Sequence, residues 1–160
     1  MSSPGHLSSF SYVGLHRYSL TFCTDQRRDL FRREDAVTLV LSQILRAADE
    51  QGFLIVAYCF MPDHLHLLIE GETESSDCLR FIARAKQYAG FYYAKTFSDR
   101  LWQRYAFEHV LRDDEITKVV ARYILENPVR AGLVRSVEEY PYVGSNVYPL
   151  ADLIEGLTRS

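Results

Sequence analysis

Hydrophobic and polar positions change period along this chain, and the changes predict its elements. His16-Arg17-Tyr18-Ser19-Leu20-Thr21-Phe22 alternates as a half-buried strand does, and a polar connection follows from Gln26 to Arg33. Ala36, Val37, Val40, Leu41, Ile44, Leu45 and Ala48 then recur at helical spacing, with Gly52 as the stop. Phe53 to Phe60 is a continuous apolar strand, Met61-Pro62-Asp63 a tight turn, and His64 to Glu70 its antiparallel partner. An acidic loop leads into a long helix over roughly Asp77 to Phe97, weakened at Gly90, and Tyr105 to Arg112 reads as a fourth strand. Asp113 or Asp114 caps a last helix, which the pattern carries to about Glu126 and stops near Pro128. The order β-α-β-β-α-β-α predicts an α+β, ferredoxin-like sandwich: one antiparallel sheet, two crossing helices and an additional third helix. A single domain over 1–160 follows, with a loose N-terminal arm at 1–14 and a C-terminal tail at 146–160.

Two of these elements carry chemistry. His64 and His66 sit at i and i+2 of a strand, so both imidazoles point to one face. Alone, such a pair reads more readily as two hydrogen-bonded rings than as a metal site. On the last helix, Ile116, Val119, Val120 and Ile124 mark an apolar face, and Tyr123 and Asn127 project close beside it, one turn apart. That projection expects both polar groups to face the sheet and to join the imidazoles in one site. Two neutral imidazoles and an amide oxygen suit a divalent metal, magnesium or manganese. A tyrosine hydroxyl beside them is a candidate nucleophile. On strand Tyr105–Arg112, Glu108 and His109 are conceivable proton-transfer or supporting groups, of which alternation lets only one face the site.

Composition changes the picture little: 48% hydrophobic and 24% charged residues exclude a disordered chain. Cys23, Cys59 and Cys78 lack metal-site spacing and read as reduced, buried thiols, and no apolar run reaches membrane-spanning length. A cytoplasmic protein is expected. Charge changes the picture more. The net charge is −3, yet between Leu79 and Arg104 six basic residues meet one acid, Asp99. Tyr88, Phe91, Tyr92, Tyr93, Phe97 and Trp102 interleave them. The segment is either a solvated basic helix face over a core stripe or a surface for phosphates and stacked bases. On the second reading Arg80, Arg84, Lys86, Arg100, Arg104 and Arg112 contact DNA.

Blocks in matching order then carry a resemblance. Tyr58-Cys59-Phe60-Met61-Pro62-Asp63-His64-Leu65-His66-Leu67-Leu68, Leu101-Trp102-Gln103-Arg104, the run Phe107 to Asp114, and Tyr123 to Val134 resemble the single-tyrosine HUH transposases. Among these the REP-associated tyrosine transposase branch is the most similar, and the resemblance spans about Arg17 to Ser145. It implies that His64, His66 and Asn127 hold a divalent metal while Tyr123 attacks a DNA phosphodiester. The expected activity is a metal-dependent endonuclease and transposase that nicks and rejoins hairpin-forming single-stranded DNA through a 5′-phosphotyrosine intermediate. The alternative is a domesticated, catalytically weak DNA-binding protein of the same fold. Because Tyr123 shares the apolar face that should dock on its own sheet, the tyrosine is expected to act in cis, in a monomer or weak homodimer.

Overall fold

A computed structural model describes residues 10–158. One five-stranded antiparallel sheet is built from β1 (Arg17–Thr24), β2 (Phe53–Met61), β3 (His64–Gly71), β4 (Trp102–Leu111) and the short β5 (Val143–Gly144). Its order is β4-β1-β3-β2-β5, so the first four strands make the expected ferredoxin-like sheet and β5 extends the β2 edge. Helices α1 (Glu34–Gln51) and α2 (Cys78–Phe97) cover one face, and α3 (Asp114–Arg130) and α4 (Leu150–Thr158) the other.

Alternation decides what each face buries. Tyr18, Leu20 and Phe22 of β1, with Leu65, Leu67 and Ile69 of β3, face α1 and α2. β2 is apolar throughout because it is buried on both sides. A bulge between Ile55 and Ala57 shifts its alternation, so Phe53, Ile55 and Phe60 join the α1–α2 core while Ala57, Cys59 and Met61 face α3. Gly52 ends α1 at φ 73°, a left-handed geometry that glycine adopts without Cβ strain. Asp77 and Asp113 cap α2 and α3 by accepting from the backbone N–H of Arg80 and Ile116.

Several boundaries differ from those the pattern predicts. β4 begins at Trp102, not Tyr105. Residues 1–9 of the predicted arm lie outside the described residues, but its last part is fastened: Tyr12 is buried and Val13 bridges Asp77. The tail contains α4, whose Leu157 carbonyl accepts from Arg122 on α3. Most consequentially, α3 runs through Pro128 to Arg130. Proline removes one helical N–H, but Pro128 is buried beside Leu125, and tertiary packing of that turn outweighs the local preference to stop.

Candidate active site

The tight turn Pro62-Asp63 is anchored before any chemistry is considered. The Thr24 N–H and hydroxyl both donate to the Asp63 carbonyl at 3.0 Å, and the Phe31 N–H donates to the Pro62 carbonyl. This fixes where β3 starts and which way Asp63 points. Its carboxylate accepts from Arg27 at 2.9 Å and meets His64 Nδ1 at 2.7 Å. Burial alone would raise the Asp63 pKa, but the His64 bond and the Arg27 charge outweigh it and hold the carboxyl below its usual range.

Two residues on, His66 lies opposite Thr21 of β1 and Cys59 of β2, on the α3 face of the sheet. Its Nδ1 is 3.1 Å from the Thr21 hydroxyl. Burial first, then His64 and the charges of Arg130 and Arg27, push the His66 pKa down to about 4, so the ring is neutral near pH 7. The two Nε2 atoms face each other at 3.1 Å. Asp63 can only accept, which puts a His64 proton on Nδ1, so the neutral ring would keep a lone pair on Nε2. A His66 proton on Nδ1, donated to Thr21, leaves the second lone pair converging on the same point. Two nitrogens each about 2.1 Å from one octahedral cation, at right angles around it, lie about 3.0 Å apart. The observed spacing therefore fits a shared divalent ion. Among the described residues no group of three or more His, Cys, Asp or Glu side chains is disposed to hold a metal.

α3 packs over β2 and β3, and Arg17 fixes its start by reaching from β1 to Glu70, Asp114 and Thr117. The face it buries overlaps the predicted one only in part, at Ile124 and the half-buried Val120. Ala121, Ile124, Leu125 and Pro128 enter the core, whereas Ile116, Val119 and Tyr123 are exposed, Tyr123 by 57%. The stripe with the small Ala121 seats the helix against Ala57 and Leu68, and α4 packs against the same core. Tyr123 thus stands beside the helix–sheet junction, not inside it. Asn127 is half-buried one turn on.

A third residue of that stripe escaped the sequence reading. Arg130 is seven residues from Tyr123, two helical turns, and folds back along the helix. Its guanidinium lies 3.7 Å from the Tyr123 ring centroid and its Nη2 donates to the Tyr123 carbonyl at 2.6 Å. The same positive charge is felt at His66 and Cys59, where it disfavours a proton on the imidazole and favours loss of one from the thiol. The i, i+4, i+7 spacing of Tyr123, Asn127 and Arg130 was the available signal.

The remaining predicted residues lie elsewhere. Glu108 points to the α2 side of the sheet and is buried there, while His109 is exposed on the opposite side, two rows from His66. Arg80, Arg84 and Lys86 belong to α2, on the layer away from the histidines. Arg80, Arg104 and Arg112 are exposed, Arg84 bonds Gln87, and Arg100 donates to the Trp102 carbonyl. Lys86 donates to the carbonyls of Gln103 and Arg104, strapping α2 to β4, and burial lowers its pKa to about 8. No helix among the described residues is long and apolar enough to cross a membrane.

Comparison with known proteins places this geometry. A family model described as "Transposase IS200 like" matches residues 12–127. A Haemophilus influenzae protein provisionally named a REP-associated tyrosine transposase is 27% identical over 157 residues, covering 88% of each chain. The REP-associated tyrosine transposase of Escherichia coli K12 is 28% identical over 116 residues, 67% of each chain. The structure of a REP-associated tyrosine transposase bound to a REP hairpin superposes with a TM-score of 0.75 at 20% identity, covering 95% of this chain and 87% of that one. With the family model spanning well over half of its length, the chain belongs to the IS200-like transposases, and among them resembles the REP-associated tyrosine transposases.

Proposed function

We propose that this transposase nicks and rejoins hairpin-forming single-stranded DNA, with Tyr123 as nucleophile and His64, His66 and Asn127 as ligands of a magnesium or manganese ion. The observation that carries the reading is the pair of Nε2 atoms 3.1 Å apart, with the ring orientations held by Asp63 and Thr21. A bound divalent ion would supply Lewis-acid polarisation of the phosphate and charge neutralisation. The chain's own residues do the rest. Tyr123 Oη forms a bond to phosphorus as the bond from phosphorus to the 3′ oxygen breaks. The phenol proton passes to solvent, the 3′ oxygen leaves with the bonding electrons and takes a proton from water, and a 5′-phosphotyrosine link remains. Attack by a 3′-hydroxyl reverses the step and rejoins DNA without an external energy source. The exposure of Tyr123 suits this role, since a nucleophile for a polymeric substrate must be reachable from outside.

Hairpin DNA as substrate rests on the relative whose structure was determined bound to a REP hairpin. Arg80, Arg84, Arg100, Arg104 and Arg112 supply phosphate contacts to such a hairpin, and cis action is supported by the packing of α3 on β2 and β3 of its own chain. The test is a denaturing gel of labelled hairpin oligonucleotides. Wild type should form a covalent protein–DNA adduct in manganese and lose it with chelator, and Tyr123→Phe should form none while still binding the hairpin. An undiminished adduct in Tyr123→Phe would move the nucleophile elsewhere.

A further inference from the structure

Arg130 is placed for a task that its packing does not account for. It stacks on the Tyr123 ring and bonds the Tyr123 carbonyl, two contacts that fix the guanidinium in direction. Among the described residues no carboxylate lies within ion-pair distance of it, whereas Arg17, Arg27, Arg28 and Arg33 each have one. A guanidinium carries five N–H donors, and the bond to the carbonyl occupies one Nη2 proton. The others are open to a ligand, and the side chain is exposed. Its charge is felt at His66 and Cys59 of the sheet, and burial keeps the first neutral and the second protonated near pH 7, so neither supplies negative charge. A guanidinium fixed on the ring of the proposed nucleophile, with no ion-pair partner among the described residues, is complementary to a tetrahedral oxyanion.

We propose that Arg130 binds the non-bridging oxygens of the scissile phosphodiester and holds it between Tyr123 Oη and the His64–His66 pair. This rests on Tyr123 being the nucleophile. As the bond from Oη to phosphorus forms and the bond to the 3′ oxygen breaks, negative charge gathers on those oxygens. The guanidinium meets it while neither gaining nor losing a proton. The ring contact gives the same side chain a second effect: an Arg130 engaged by phosphate brings the phosphate to the edge of the nucleophile's ring.

The test separates a phosphate contact from a packing role. Single-turnover adduct formation is measured on a hairpin whose cleavage position has been mapped with wild type, carrying there either the natural phosphate or a neutral methylphosphonate. Arg130→Ala should slow the natural substrate about a hundredfold to a thousandfold, the scale of removing one oxyanion donor, but the methylphosphonate by less than about tenfold. Equal losses on both linkages would overturn the proposal and leave Arg130 a structural residue. If the neutral linkage reacts with neither protein, guanidinium ion added to Arg130→Ala decides: recovery on the natural substrate supports the contact, and no recovery overturns it. Tyr123→Phe run in parallel keeps the two readings apart. Loss of adduct there, with equal losses for Arg130→Ala, sinks this proposal alone, whereas a surviving adduct sinks the assignment of the nucleophile.

Discussion

Asp63→Ala should weaken divalent-metal binding about 10- to 100-fold, roughly 1.4–2.7 kcal/mol. Two effects in the structure add with the same sign. The carboxylate accepts from His64 Nδ1 at 2.7 Å, which orients the ring, fixes the proton on Nδ1 and makes Nε2 a better donor. It also neutralises Arg27, bonded at 2.9 Å, whose charge already disfavours a proton on His66 and would equally disfavour a cation. Asp63→Asn separates them: an amide oxygen can still accept from Nδ1–H, but Arg27 loses its counter-charge. The expected order of affinity is wild type, then Asn about tenfold weaker, then Ala. Manganese titration followed by electron paramagnetic resonance measures all three, and thermal melts check that each variant is folded. Wild-type affinity in Asp63→Ala would refute the reasoning, because the His64–His66 pair would then need no support from the turn.

The other predictions use different parts of the molecule. Burial raises the Glu108 pKa from 4.5 to about 7, so its contribution to stability is fully present below pH 4.5 and declines as pH rises to about 7, by roughly 3 kcal/mol at most. Urea unfolding of wild type and Glu108→Gln should show the variant gaining relative stability across that window, and parallel pH profiles would refute it. Mixing Tyr123→Phe with His64→Ala chains should not restore cleavage, since α3 packs on β2 and β3 of its own chain; restored activity would show a site shared between chains. Hairpin binding should weaken with salt, and Arg104→Glu should reduce the slope of log K against log salt by about 0.7 for each phosphate that the arginine had neutralised. An unchanged slope would remove Arg104 from the DNA-binding surface.

Whatever depends on short-range periodicity was legible in the sequence itself. Strand alternation put His64 and His66 on one face, Gly52 marked the end of α1 and an aspartate the start of α3, and the order of elements implied the ferredoxin-like sheet. These are decided by interactions within a few residues, where the chain's own geometry leaves few choices. The side of α3 that enters the core was not decided there. Of the predicted stripe Ile116, Val119, Val120 and Ile124, only the last two reach the core, where Ala121, Leu125 and Pro128 join them because that side fits Ala57 and Leu68 from distant β2 and β3. The same packing carries α3 through Pro128 and, with two further residues beyond it, brings Arg130 onto the Tyr123 ring. Likewise β5 is only two residues long and exists as a strand only because β2 is there to pair with it. The partners that orient the imidazoles follow this division. Asp63 adjoins His64 in the chain, but Thr21 meets His66 only through the β1–β3 register, forty-five residues apart. Periodicity is local and survives in any context, whereas burial is a competition among surfaces that only the assembled molecule contains.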